Sequence, residues 1–359
     1  VALELWTGRP TFDVVSVALH VQKRLVARGR WMEDLRTWIN NPNVTGPELD
    51  FADFAAPGLR WGTAADGSIH TLVNNHDVWL MFWNKAIFAE KGVPFPKTMD
   101  EMLEAARKLT DKSKGIYGMV GRGLKNANLP LYTSFLMGMD QYTISKDGKT
   151  LLMDTDAAVW AGELYKKLLI ETAPRGTVGF NWMESQTSFS QGKVAMWIDD
   201  IGFSAPLIDP TKSRVVKDIG FAPVPAGPKV QHSATFASGF SIPAASKNKQ
   251  AAWLYIQWAT SKEINKEQIR LGAGTPPRAS VWQDEAVQKA SPFPKEWFET
   301  SLACQKIGRP GLPEIVSVTE FRDVYGIALT NTLGGADVKT ELVRANEAFK
   351  PILAKELAG

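Results

Sequence analysis

One cysteine, Cys304, is all that 359 residues carry, which excludes an intramolecular disulfide and any metal knot held by several thiolates. Stability must then come from buried apolar surface, and Cys304 itself reads as inert core or surface. Histidine is nearly as scarce. His20, His70, His76 and His232 show neither the His-Glu-x-x-His spacing nor a cysteine partner, so no zinc centre is expected. A Gly-x-Ser-x-Gly elbow and a Gly-x-x-x-x-Gly-Lys phosphate loop are both missing, and Gly272-Ala-Gly274-Thr-Pro-Pro reads as a turn. No cofactor is implied. Charge of one sign is missing too. The 41 basic and 38 acidic residues leave a formal charge of +3 spread along the chain, without the basic face that nucleic acid demands. There is no run of 18 apolar residues, and Val1 to Leu5 lacks the basic start and apolar stretch of a secretory signal. The expectation is a signal already removed or a numbering that begins late. A shortage of cysteine is compatible with the periplasm, where pairing is permitted and not required.

The length is enough for two or more domains, each with its own core. Three segments read as amphipathic helices. Thr98 to Leu109 opens on a Thr98/Glu101 capping box and buries Met99, Met102, Leu103 and Ala106. Asp156 to Ile170 repeats Ala157, Trp160, Ala161, Leu164, Tyr165 and Leu168 at three- and four-residue steps, and Gln250 to Thr260 does the same with Ala251, Leu254, Tyr255, Trp258 and Ala259. Strand-sized apolar runs lie between them: Asp13–Val17, Asp77–Trp83, Ile116–Val120, Val194–Ile198, Ile219–Ala222 and Phe240–Ile242. Alternating strands and helices predict an α/β chain with mostly parallel sheets, whose ligand loops follow the carboxyl ends of strands. No repeat or long linker occurs, which favours two lobes joined by strand-like crossings, at Lys114 to Gly118 and at Thr235 to Ser241, where Gly239 interrupts an apolar run.

Five segments, in order, resemble the family 1 extracellular solute-binding proteins, the group that includes maltose-binding protein. Asn75 to Pro94 is similar to that family's strand ending in aromatic-Asn-Lys and entering a helix closed by glycine. Pro96-Lys-Thr-Met-Asp-Glu-Met102 resembles its Pro-x-Thr-Trp-Asp-Glu-Leu helix start, with Met99 at the usual tryptophan. Phe189-Ser-Gln-Gly-Lys-Val-Ala-Met-Trp-Ile-Asp199 matches its Phe-x-x-Gly-Lys-Ala-Ala-Met turn most specifically. Here Asn181 and Glu184 can form a capping box, Gly192 ends the helix, and Val194 to Ile198 runs on as a buried strand. Asp218 to Pro228 and Gly274 to Trp282 resemble its proline-rich strand exit and a loop that presents Arg278 to the cargo. The spelling Met196-Trp-Ile-Asp199 is closest to the subgroup that binds mannitol, sorbitol and related monosaccharide-sized ligands.

The resemblance implies a two-lobe, hinge-bending type II binding-protein fold with its ligand in the interlobe cleft. Residues 1–115 and 241–303 would form the N-terminal lobe, preceded in the family by elements ahead of Val1, and 116–240 with 304–359 the C-terminal lobe. It also implies a periplasmic, possibly membrane-anchored, monomeric and non-catalytic subunit that hands a sugar alcohol or monosaccharide to an ABC permease.

Such a ligand presents vicinal hydroxyls on one edge and C–H groups on its flanks, so its site needs charge-assisted hydrogen bonds and flat rings. Asp199 or Asp200 faces it, since neighbouring strand residues point to opposite sides, and Asp199 is favoured. Arg278 offers a rigid donor fork or a surface salt bridge. His20, Gln22, Asn75, His76 and Asp77 flank strand ends early in the chain, the histidines as hydroxyl donors or as satisfied core, and Arg122 and Asn126 follow Ile116–Val120. Gly239 marks a crossing. Among Trp6, Trp79, Trp182, Phe203, Phe236, Phe240 and Trp282, the rings Trp182 and Phe240 border matched segments, while Trp197 reads as core. A two-carboxylate glycosidase is the alternative, because separated acidic residues can converge in space.

Overall fold

The computed structural model describes residues 1–27, 31–64 and 66–358. Its strands are β1 (Val15–Ala18), β2 (Leu72–Asn84), β3 (Tyr117–Val120), β4 (Val194–Asp200), β5 (Ile219–Ala222), β6 (Ser233–Ser241) and β7 (Gly308–Pro310). Among its helices are α1 (Met99–Leu109), α2 (Asp156–Thr172), α3 (Trp182–Ser190), α4 (Lys249–Ala259) and α5 (Val318–Leu333). Each strand run expected from the sequence overlaps one of these strands, and the α/β class is as expected. The pairing is mixed, however, and not mostly parallel. Strands β1–β6, β2–β4 and β2–β5 pair antiparallel, whereas β3–β4 and β6–β7 pair parallel. The departure comes from β2, antiparallel to both its partners, and from the β1–β6 pair, whereas β6 reaches β7 in parallel after a helical crossover.

The chain divides into two compact units, Val1–Asp77 with Phe236–Phe298 and Glu314–Val318, and Val78–Thr235 with Glu299–Pro313 and Thr319–Gly359. The chain passes between them inside β2, at Asp77–Val78, inside β6, at Thr235–Phe236, and again at Phe298–Glu299, Pro313–Glu314 and Val318–Thr319. The second passage falls within the expected crossing at Thr235 to Ser241. The expected one at Lys114 to Gly118 does not serve. Asp111 and Ile116 close a short turn there through paired backbone hydrogen bonds of 2.9 and 3.0 Å, which leads into β3 within the second unit. Residues 78–115 therefore belong with the second unit, because α1 packs on β3 and α2.

In the second unit, β2 lies between β4 and β5, and β4 lies between β2 and β3. Val194 to Asp199 are all buried, as a strand covered on both faces requires. The helix before it forms as its sequence predicts, with Asn181 and Glu184 in a reciprocal cap and Gly192 in the left-handed region at φ 76°.

In the first unit, β1 runs antiparallel to the end of β6, from Val15 opposite Ser241 to Ala18 opposite Ser238. Gly239 sits in that stretch because of a close backbone approach, since a Cβ there would lie 2.4 Å from the Leu72 carbonyl oxygen. Its lack of a side chain lets the two strands approach. Helix α4 corrects another expectation. Leu254, Tyr255 and Trp258 are exposed, and the buried face is Ala252, Trp253, Ile256 and Ala259. The helix is apolar nearly all round, so its period fits either face, and polar anchors decide. The Trp253 indole N–H donates to Thr45 Oγ1 at 2.8 Å, and Gln257 donates to the Val44 carbonyl at 2.8 Å.

Candidate functional site: an arginine beside stacked rings

The parallel register of β3 and β4 places Tyr117 opposite Val194 and Val120 opposite Trp197. Continued two residues past β3, the same offset brings Arg122 level with Asp199. There Nε of Arg122 donates to Oδ2 of Asp199 at 2.8 Å and Nη2 donates to Oδ1. Asp199 has no exposed surface, and its backbone neighbour Asp200 adds an N–H donor to Oδ1 at 2.8 Å. A carboxylate so placed stays charged only if it is paired and hydrogen-bonded, and both conditions are met. The Arg122 side chain keeps 13% of its surface. Tyr165 of α2 donates to its carbonyl at 3.0 Å, which holds the loop down.

Rings surround the pair. The guanidinium carbon of Arg122 lies 4.9 Å from the Trp79 ring centre and 5.6 Å from that of Phe203. Phe203 is stacked on Trp182 at 4.8 Å and 7°, and on Trp197 at 6.1 Å and 16°. The Asp200 carboxylate accepts from the Gly202 N–H at 2.7 Å and so caps the turn that carries Phe203, whose carbonyl accepts from Gln186 of α3 at 2.9 Å. Of the two aspartates, then, one anchors an arginine and the other shapes a ring-bearing turn. Asp199, the favoured hydroxyl acceptor, spends its oxygens on Arg122 and the Asp200 N–H, and Arg122 is the member of the pair with surface.

Asn126 lies on the same loop at φ 75°, a conformation asparagine tolerates. It donates through Nδ2 to Asp323 at 3.0 Å, and its Oδ1 is buried without a partner among the described residues. Arg322 of α5 donates through Nε to the Asn126 carbonyl at 3.0 Å. Neither Arg322 nor Asp323 was legible from sequence, since nothing in the α5 pattern marks its first turns as neighbours of a loop about 200 residues earlier.

The remaining candidates lie in the first unit. Arg278 is fully buried and donates to three carbonyls, Thr260 at 2.6 Å, Leu49 at 2.8 Å and Asp50 at 3.2 Å, over the Phe54 ring at 4.1 Å. With its donors used inside, it is a structural tie and not a ligand contact. Phe240 packs edge-on to Tyr255 at 5.9 Å against the core under α4, so it too is packing. Gln22 accepts the Ala18 N–H at 2.9 Å and closes the turn after β1. The His20 ring shares a 3.3 Å hydrogen bond with the Ala237 carbonyl and meets Phe236 edge-on at 5.0 Å. On β2, Asn75 and Asp77 share the half-buried face and His76 turns inward. Burial brings the His76 imidazole down to about 4, and its Nε2 has no partner among the described residues. Burial also pushes the Asp77 carboxyl up to about 6, opposed by the hydroxyl of Thr275, which donates to it.

Residues 4–266 match the model of a family described as bacterial extracellular solute-binding proteins. An erythritol/L-threitol-binding protein of Mycolicibacterium smegmatis is 27% identical over 87% of this chain and 68% of its own length. A probable amino-acid ABC transporter periplasmic-binding protein of Sinorhizobium fredii is 27% identical over 81% of this chain and 65% of its own. The crystal structure of an ABC transporter solute-binding protein from Agrobacterium radiobacter in complex with ribitol superposes with a TM-score of 0.88, at 27% identity, over 98% of this chain and 87% of that one. The chain thus spans about two thirds of the length of the curated relatives. Among the described residues no helix is long and apolar enough to cross a membrane.

Two outcomes follow from the geometry. Asp199→Ala strands a largely buried guanidinium and should lower unfolding stability by about 3 kcal/mol in urea, whereas Asp200→Ala, which removes a turn cap, should cost about 1 kcal/mol. Equal midpoints for the two variants would contradict the assignment. The second outcome concerns pH. Neutral His76 is favoured in the fold, so its contribution is lost as pH falls from 6.5 to about 4. Protonated Asp77 is favoured too, so its contribution is lost as pH rises from 3.8 to about 6. The two nearly cancel. Urea midpoints of Asp77→Asn should therefore rise between pH 4 and 6.5, and those of His76→Gln should fall between pH 4 and 6. Slopes of the same sign would refute the opposed pair.

Proposed function

Because this chain belongs to the family of bacterial extracellular solute-binding proteins, we propose that it is the binding subunit of an ABC importer for a sugar alcohol or monosaccharide. It works in the periplasm, as a monomer, and passes its cargo to the transmembrane permease without altering it. The observation that carries the reading is Arg122, locked by Asp199 at the carboxyl ends of β3 and β4, beside the Trp182–Phe203 stack and Trp79.

That arrangement suits a small polyhydroxylated molecule. An arginine whose Nε and Nη2 are held by an aspartate keeps its remaining N–H edge in a fixed direction, and a fixed donor loses little rotamer freedom on binding. Indole and phenyl faces cover the C–H flanks that hydroxyl-binding groups leave exposed. The names of the erythritol/threitol relative and of the ribitol complex support cargo of this size. The glycosidase alternative finds little support, because Asp199 is an ion-pair partner of Arg122 and makes a poor proton donor.

Thermal shift against erythritol, ribitol, mannitol, sorbitol and hexoses tests the proposal. A specific ligand at 100 times its Kd should stabilise the protein by about 2.7 kcal/mol, and Arg122→Met or Trp182→Ala should lose most of that gain. Silence from every polyol and hexose, with a clear response to an oligosaccharide or to an unsubstituted amino acid, would overturn the cargo.

A further inference from the structure

Arg122 has a neighbour of the same sign that its ion pair does not explain. Arg322 sits in the first turns of α5, against the loop that carries Arg122 and Asn126. The contact is close: Asn126 accepts from its Nε at 3.0 Å, Asn128 of the same loop donates to the Gly326 carbonyl at 3.0 Å, and a Cβ on Gly326 would lie 2.6 Å from the Asn126 nitrogen. Arg322 is half-buried, and burial first, with the charge of Arg122 second, brings its pKa down to about 10. Among the described residues Arg322 forms no carboxylate ion pair. Two nearby acids serve others. Asp199 holds Arg122, while Asp323 accepts from Asn126 at 3.0 Å and pairs with Lys125 at 3.5 Å.

Arg122 and Lys125 thus each have a carboxylate in an ion pair, and Arg322 has none among the described residues. The two terminal nitrogens of Arg322 make no hydrogen bond within the described residues, and Nη1 of Arg122 is in the same condition. A half-buried guanidinium with a second one near it is repelled by it, at a cost to stability that an arriving anion relieves. A planar fork with unused N–H groups is matched by the two oxygens of a carboxylate. Arg322 is the one charge of the three without an ion pair among the described residues, which a single carboxylate matches and a phosphate monoester at pH 7 overshoots.

We infer that the cargo is a polyhydroxylated carboxylate, a sugar acid whose carboxylate is held jointly by Arg122 and Arg322 while Trp182 and Phe203 cover its carbon chain. The inference rests on the capture of a polyol-like molecule proposed above and narrows it to the acid form.

Calorimetry on the intact protein, with matched pairs of one carbon skeleton, separates the two claims. The probes are ribonate against ribitol, gluconate against sorbitol, and ribose 5-phosphate and glucose 6-phosphate as the phosphate arm. The expected result is that at least one acid binds tenfold or more tightly than its alcohol, and that its affinity falls as salt rises from 20 to 200 mM, roughly a threefold change in Debye length. Arg322→Gln should bring the acid-to-alcohol ratio close to one. Arg322→Lys, which keeps the charge and loses the fork, should fall between. It also serves as the variant to measure should the glutamine protein fail to fold. An alcohol that binds as tightly as its acid overturns the inference and leaves polyol capture standing. Phosphate esters that bind more tightly than carboxylates overturn the assignment to a carboxylate. No heat from any of the three classes overturns both.

Discussion

A carboxylate with no exposed surface at the end of a strand is the constraint from which the site is built. Asp199 reaches that position because β4 is covered on both faces, and its charge demands a cation that the surrounding apolar strand cannot supply. The parallel register of β3 and β4 answers the demand with Arg122. Once that pair is made, the path of the loop after β3 is fixed, Trp79 and Phe203 find a guanidinium against their faces, and the Asp200 cap brings Phe203 onto Trp182. A single electrostatic requirement thus orients one donor and a wall of rings.

Three arginines show how the satisfaction of donors sorts structure from function. Arg278 is more deeply buried than either of the others, yet its charge sits among carbonyls and Asp53, and it ties distant loops of the first unit together. Arg122 is half committed, held on one edge and open on the other. Among the described residues Arg322 is committed through one nitrogen alone. The cost of burying a charge falls as its partners increase, so the least satisfied guanidinium is the one with most to gain from a ligand. Residue type alone would have ranked Arg278 beside Arg122.

What could be read from the sequence was local. The capping boxes at Thr98 and at Asn181, the glycine stop at Gly192 and the apolar run into Asp199 are all signals within a few residues of one another, and each forms as read. What escaped depends on partners far away in the chain. Asp199 and Asp200 look alike as neighbours, and only Arg122, 77 residues earlier, distinguishes them. Helix α4 carries apolar residues on two faces, and Thr45 and Val44, some 210 residues earlier, choose between them. One passage between units lies in the middle of β2, where the polar run Asn74 to Asp77 meets the apolar run from Val78 and no glycine or proline marks the junction. Arg322 was invisible for the same reason, since its meaning is its place beside the Arg122 loop.

The central claim is that Arg122 faces the cargo and Asp199 stands behind it. A crystal structure of the protein with its bound polyol or sugar acid tests this most directly. The account predicts a ligand oxygen within about 3 Å of an Arg122 terminal nitrogen, the Arg122–Asp199 pair intact, and no ligand atom on the Asp199 carboxylate. A ligand hydrogen-bonded to Asp199 with Arg122 turned away, or one bound remote from Trp182 and Phe203, would contradict it.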